Sequence, residues 1–197
     1  ETILPNGTVA DDKNHRRIYT YDANGLFLSA TEVLLEDEQG AYSLRRESRF
    51  DNRWQKPTLV SDWVVWRDGS PLTADNATTI VYDRLGRIAQ KVMPGDDEAT
   101  PSEEYAYDLG DPFSSVSFKR RSTRNGAIDE QSTMCFDGKG RKYQMRTRIA
   151  NDNWLVTGFT VFNARGAEVE SYQPYRSTSG DCELTPPAGV SSTKTKF

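Results

Sequence analysis

The sequence predicts an all-β chain, built of stacked antiparallel hairpins that form a curved sheet segment with little helix. An aromatic residue followed by Asp or Asn, and usually by a glycine turn, recurs six times. The instances are Tyr21-Asp22-Ala23-Asn24-Gly25, Phe50-Asp51, Tyr82-Asp83-Arg84-Leu85-Gly86-Arg87, Tyr107-Asp108-Leu109-Gly110, Phe136-Asp137-Gly138-Lys139-Gly140-Arg141 and Phe162-Asn163-Ala164-Arg165-Gly166. Successive aromatic positions differ by 29, 32, 25, 29 and 26 residues. Self-similarity at roughly 20–50 residues marks a stacked array. The runs on either side of the turns alternate in polarity and are rich in Val, Ile, Thr, Tyr and Phe, as half-buried strands are.

Taken in order, residues 1–17 form an irregular lead-in. The first hairpin joins Arg17–Tyr21 to Leu26–Ala30 across Asn24-Gly25, a pair that tolerates the positive φ of a type I′ turn. The following stretch, Thr31–Gly40, has two readings. A short helix would use Thr31 as N-cap and Gly40 as stop; strand and loop is the reading adopted. Phe50-Asp51 has no glycine turn, and Trp54 with Pro57-Thr58 takes over the local packing. Trp63 and Trp66, three residues apart, face opposite sides of a strand, so wall packing is preferred to sugar stacking. A third hairpin pairs Thr79–Tyr82 with Arg87–Met93 about Gly86. Tyr107-Asp108 carries its glycine one residue early, and Asp111-Pro112 suggests a tighter corner. Met134–Phe136 pairs with Arg141–Arg146, and Phe159–Phe162 with Val169–Tyr172 across Gly166. Twelve of the 20 residues from Ser177 to Lys196 are Ser, Thr, Pro or Gly, and Pro186-Pro187 excludes a central strand. Residues 18–175 are therefore read as the array, and 176–197 as a flexible tail.

Each part of the repeat has a physical role. The aromatic presents a broad face to its cross-strand neighbour. The Asp or Asn oxygen folds onto backbone amides two residues on, and glycine takes the left-handed backbone angle. Arg87 and Arg141 open the return strands, where their stems can lie over rings while the charge stays wet. Because a lone hairpin is marginal in water, the units must lean on one another or on neighbours.

Composition narrows the function classes. The four Trp, nine Tyr and eight Phe argue against disorder, although 27% of residues are charged. With 25 basic against 29 acidic residues and no basic block, a nucleic-acid footprint is not indicated. Apolar runs such as Val33-Leu34-Leu35 are too short for membrane insertion by a helix. The chain opens at Glu1 without a Met, as an excised piece would, so the missing leader carries no information on secretion. Two cysteines cannot make a disulfide scaffold or a four-thiolate zinc site. Cys135 lies in an apolar strand pattern and Cys182 in the polar tail; the two could pair, and two unpaired thiols is the reading preferred.

Candidate chemistry is thin. His15 is the one histidine; it sits in a polar stretch with no group to orient it as a base. Asp96-Asp97-Glu98 and Glu103-Glu104 place five carboxylates in nine residues, but without the spacing of a calcium loop. They also lack the separated, differently buried pair of a glycosidase. Asn6-Gly7-Thr8 and Asn76-Ala77-Thr78 fit the glycosylation pattern and are read as chance polar turns. No catalytic residue, metal or cofactor is expected.

The repeated Tyr-Asp with following Gly-Arg resembles the YD-repeat, or Rhs, family. Cys135–Arg141, Trp154-Leu155-Val156-Thr157-Gly158, Thr160–Gly166 and Tyr172-Gln173-Pro174-Tyr175 look most like the middle region of insecticidal toxin-complex B components and SpvB-type virulence proteins. The resemblance runs from the first Tyr-Asp to Tyr175. It implies a hollow shell of hairpins around a toxic C-terminal segment, in a secreted bacterial protein. Six units would be a segment of such a wall, its partners being neighbouring shell segments and the enclosed toxin polypeptide. The family's self-cleavage motif, of Asp-Pro-x-Gly type, finds no match, since Asp111-Pro112 continues as Phe113-Ser114. No variable toxin segment is recognised either, so neither a protease nor a transferase role is carried over. The alternative is an extracellular adhesion or carbohydrate-binding YD-repeat module.

Overall fold

The computed structural model describes residues 2–3, 16–37, 40–66 and 76–195. His15 and the Asn6-Gly7-Thr8 pattern lie outside the described residues, as does most of the lead-in. Among the described residues there is no helix, and every strand pairing is antiparallel. The expected all-β class holds. The chain divides into two compact units, Glu1–Pro101 and Ser102–Phe197.

The first unit contains β1 (Thr2–Ile3), β2 (Arg16–Tyr21), β3 (Leu28–Asp37), β4 (Gly40–Asp51), β5 (Lys56–Ser61), β6 (Val64–Trp66), β7 (Ala77–Tyr82) and β8 (Ile88–Val92). Its strands lie in the order β1-β2-β3-β4-β5-β7-β8, with β6 also on β4. Strand, not helix, is what Thr31–Asp37 adopts. Ala30 to Asp37 runs in unbroken register against Glu47 to Gly40, so these backbone amides are satisfied across the sheet. Opposite charges meet there as well, Arg45 Nη1 standing 3.8 Å from Glu32 directly across. After Ser61 the chain breaks step before continuing as β6. Buried Ser61 repairs the gap, its Oγ accepting the Glu47 amide at 2.8 Å and its carbonyl the Arg46 Nε at 3.2 Å.

The second unit contains β9 (Glu103–Asp108), β10 (Phe113–Arg120), β11 (Glu130–Asp137), β12 (Lys142–Arg148), β13 (Trp154–Thr157), β14 (Thr160–Phe162), β15 (Glu168–Tyr172), β16 (Tyr175–Ser177) and β17 (Ser192–Lys194). One sheet runs β9-β10-β11-β12-β13-β16 and a smaller one β14-β15-β17. Cross-strand register puts Cys135 with Gln144, Arg146 with Val156, and Val156 with Tyr175 on one face. A β-bulge opposite Cys135/Phe136 adds Tyr143 to it. Cys135, Tyr143, Val156 and Phe159 form the buried centre. Phe159 meets Tyr143 edge-on at 5.9 Å and Tyr172 at 5.4 Å, the geometry that ring quadrupoles favour.

Two sequence expectations fail in this unit. Cys135 and Cys182 are disulfide-bonded, with Cα atoms 5.8 Å apart, rather than unpaired. Residues after Tyr175 do not form a free tail either. They supply β16 and β17, the disulfide and an ion pair to Arg146. The reason is common to both corrections: polar composition hides contacts made with residues twenty or more positions away.

Candidate functional site

The feature repeated across both units is a capped turn. At the third repeat the Gly86 amide donates to the Asp83 carbonyl at 3.0 Å, and the Asp83 amide to the Arg87 carbonyl at 2.8 Å. The fifth repeat has the same pair, Gly140 to Asp137 at 2.8 Å and Asp137 to Arg141 at 3.0 Å. The sixth has Gly166 to Asn163 at 2.9 Å and Asn163 to Ala167 at 2.9 Å. In all three a register shift precedes the turn, between Val81/Tyr82, Cys135/Phe136 and Val161/Phe162. A three-residue loop with its last residue left-handed and a bulge beside it explains the pattern. The aromatic of the motif therefore sits at the bulge, not simply at a strand end.

Side chains close each turn. Asp83 Oδ1 accepts the amides of Leu85 and Arg87 at 2.8 and 2.9 Å, while Oδ2 accepts Arg87 Nε at 2.7 Å. Asp137 repeats this with Lys139 and Arg141 at 2.9 and 3.0 Å, and with Arg141 Nε at 2.8 Å. Asn163, which has no charge to pair, makes only the two amide contacts, with Arg165 and Ala167, at 3.0 Å each. The Arg that opens the return strand is thus the second half of the clamp. In the first repeat Asp22 Oδ1 accepts Leu26 and Phe27 amides at 2.7 and 2.9 Å, one residue further on. Only Gly25 of the Asn24-Gly25 pair has positive φ, 68°, so the expected type I′ turn is not formed. The longer loop needs a single left-handed residue.

Burial pushes the Asp83 and Asp137 carboxyls up, but the accepted hydrogen bonds and the neighbouring Arg charge outweigh it and hold both below the ordinary carboxylate value. For Asp22 the Phe27 amide is the leading cause of the same downward shift.

Two repeats depart from the pattern. Asp51 Oδ1 accepts the Arg53 and Trp54 amides at 2.7 and 2.9 Å, and Gln55, at φ 54°, takes the place of the missing glycine. Tyr107, opposite Val116, and Asp108 lead into a corner where Gly110 keeps negative φ and Asp111-Pro112 is cis.

Neighbouring turns dock on one another within each unit. Phe27 stacks on Phe50 at 4.6 Å and 14°. Lys56 Nζ donates to the Gly86 carbonyl at 2.8 Å and lies over the Tyr82 ring, while Tyr82 Oη donates to the Pro57 carbonyl at 2.8 Å. Trp54 covers Gly86 so closely that an added Cβ would stand 2.6 Å from its ring. In the second unit Lys139 Nζ reaches the Ala164 carbonyl at 3.0 Å, and the Arg141 guanidinium lies 4.3 Å from the Phe162 ring centre. The repeat unit is therefore a hairpin whose turn grips the next turn; the sequence pointed to Arg141 and Trp54 for such packing, but not to Lys56 and Lys139.

The other sequence candidates are accounted for locally. Asp97 Oδ1 accepts the Thr100 amide at 2.8 Å and its hydroxyl at 3.0 Å. Tyr105 Oη donates to Glu103 at 2.8 Å, and Glu104 faces Lys119 at 3.7 Å. Among the described residues no three His, Cys, Asp or Glu side chains converge to hold a cation. Trp63 is exposed, whereas Trp66 lies under Arg45 at 4.7 Å. An open cleft of about 230 Å³ in the second unit is bordered by Pro112, Asp137, Arg141, Tyr143 and Phe159, below the ~300–1,000 Å³ of ordinary ligand pockets. Asp137, its one carboxylate, is occupied by Arg141 and two amides.

Sequence reasoning missed a second centre. Arg146 is fully buried and donates to Gln144 Oε1 at 3.0 Å, Ser177 Oγ at 3.2 Å and the Ser179 carbonyl at 2.8 Å, with Nη2 2.9 Å from Glu183 Oε2. Gln144 Nε2 donates to the Glu183 carbonyl at 2.7 Å. Little signal was available: Gln144 and Arg146 share one face of β12 at period 2, but Lys142, Thr147 and Arg148 make the strand polar throughout, so neither residue reads as buried.

No protein-family model and no curated protein matches the chain. Among solved structures, a crystal structure of TcdB2-TccC3-TEV matches 81% of this chain with a TM-score of 0.53 and 16% identity. The fold resembles a segment of a toxin-complex chain. A crystal structure of TcdB2-TccC3 without its hypervariable C-terminal region matches 91% of this chain at 15% identity, with a TM-score of 0.48. This chain spans only 12% and 14% of those two chains. At such identity the likeness is one of fold.

Proposed function

We propose that the chain is a non-catalytic wall segment of a toxin-complex-like shell, which encloses a toxic C-terminal polypeptide and helps deliver it. Its partners are neighbouring shell segments of the parent protein and the enclosed polypeptide, and its setting is a secreted bacterial toxin. The observation that carries this reading is the docking of turn upon turn. Phe27 on Phe50, Trp54 and Lys56 on Gly86, and Lys139 and Arg141 on the Asn163 turn are contacts between repeats, which let hairpins add side by side. The fold likeness to TcdB2-TccC3-TEV supports the toxin-complex setting.

The test is limited proteolysis of the parent polypeptide that carries residues 1–197, with an epitope on its C-terminal segment. Enclosure predicts that the segment resists protease in the wild type. Loosening the wall with Asp83→Ala and Asp137→Ala together should expose it. Equal, rapid cleavage in both would overturn the proposal. The adhesion or carbohydrate-binding reading makes a different forecast: saturable quenching of tryptophan fluorescence by sugars, lost in Trp63→Ala. Trp66, covered by Arg45, is not free to stack.

A further inference from the structure

We infer that residues 178–191 form a strap released by reduction, with the Cys135–Cys182 disulfide as its switch. The strap contains no strand and joins β16, which pairs with β13, to β17, which pairs with β15. Its two ends are therefore fixed to two different sheets of the second unit, and its middle is free to lift if its central anchors let go. Those anchors cluster within three residues of Cys182. They are the Ser179 carbonyl on Arg146, the Glu183 carbonyl on Gln144, the Glu183 carboxylate on Arg146, and the disulfide to β11. Gly180 adds a close fit, since a Cβ there would collide with the Trp154 ring. The disulfide is the one covalent bond in the set, and it spans a sequence separation of 47 residues.

Beneath the strap lies a surface unlike the rest of the core. Arg146 and Gln144 are fully buried there, and the Tyr175 hydroxyl is buried without a hydrogen-bond partner. Such groups favour water once the cover moves, because an unpaired buried polar group costs free energy that solvent would return. The cover is thus held closed over a face that gains hydration on opening.

Attack falls on Cys182. Cys135 has no exposed surface, whereas Cys182 sits on the half-buried strap. A dithiol reductant supplies the electrons. Its thiolate bonds to Cys182 Sγ, the Cys135–Cys182 bond breaks, and Cys135 leaves as a thiolate that takes up a proton. The second thiol of the reductant then attacks its own sulfur in the mixed disulfide, freeing Cys182 as a thiol and leaving the reductant as a disulfide. Two electrons pass from reductant to protein.

The test is hydrogen exchange of the intact chain, oxidised and after treatment with dithiothreitol, with thiol alkylation to confirm reduction. Exchange within 178–191 should rise on the order of tenfold or more on reduction, while β10, β11 and β12 keep their protection. Unchanged exchange in the strap would overturn the inference, because the non-covalent anchors would then suffice. Loss of protection across the whole unit would also overturn it, making the bond a structural staple. Oxidised Glu183→Gln separates the anchors: its strap should stay protected, and an open strap in that variant would move the switch to the ion pair. The shell reading is independent of this result.

Discussion

Docking of one repeat on the next can be isolated at two glycines in the first unit. Gly25 and Gly86 share the left-handed backbone, φ 68° and 74°, and each closes a capped turn. They differ in what lies above them. A Cβ at Gly25 would meet nothing within 4 Å, while at Gly86 it would stand 2.6 Å from Trp54 Cε3 and 2.7 Å from Cδ2. Forcing an L-residue into the left-handed region costs about 1–2 kcal/mol, so Gly25→Ala should destabilise by about that much. Gly86→Ala bears the same conformational cost. It also has to displace an indole ring, and overpacking of this kind adds about 1–3 kcal/mol. The expected difference between the two variants is therefore about 1–3 kcal/mol, readable as a shift of urea midpoint at constant slope. Placing both changes in a Trp54→Ala background completes the experiment. Without the ring, Gly86→Ala should fall to the cost of Gly25→Ala. Equal costs in the native background, or an undiminished Gly86→Ala cost without Trp54, would refute turn-on-turn docking as a source of stability.

The carboxylate clamps predict a pH dependence. Asp83 and Asp137 have folded values held below the ordinary 3.8, so the unfolded chain binds more protons in that range. Their contribution is complete above pH 3.8 and is lost as pH falls through the lower folded values. The melting temperature should drop below about pH 4, and Asp137→Asn should flatten that slope; a slope unchanged by both Asp83→Asn and Asp137→Asn would be against the clamp. Replacing the disulfide with Cys135→Ser and Cys182→Ser should cost about 4 kcal/mol, the chain-entropy value for a loop closed over 47 residues. Denaturant unfolding of the second unit would measure it. Glu183→Gln removes the counter-charge of Arg146, whose side chain has no exposure, although Glu183 itself retains 35%. Breaking a fully buried pair costs about 3–5 kcal/mol, and partial exposure should bring this one to about 2 kcal/mol by the same measurement.

What the sequence made legible and what it hid separate by contact range. The Asp83 and Asp137 oxygens close onto amides two and four residues on, so motif and spacing were enough to place the capped turns, though not the Arg side chains that complete them, and the alternation of Thr79–Tyr82 or Arg141–Arg146 was enough to place the strands beside them. The Asp51 turn was less legible because Gln55 stands where glycine was expected; there Trp54 and Lys56, docked on Gly86, offset the left-handed cost of a residue with a side chain. The strap was read wrongly for a physical reason. By local criteria a run of Ser, Thr, Pro and Gly has no apolar face to bury, and hence no cause to fold. Arg146 reverses that inference. A guanidinium with five donors, sealed beneath a sheet face, cannot be satisfied by an apolar cover. It requires carbonyls, a hydroxyl and a carboxylate, and Ser177, Ser179 and Glu183 supply them. The composition that looks like a tail in isolation is the composition a buried arginine selects in whatever segment must lie across it.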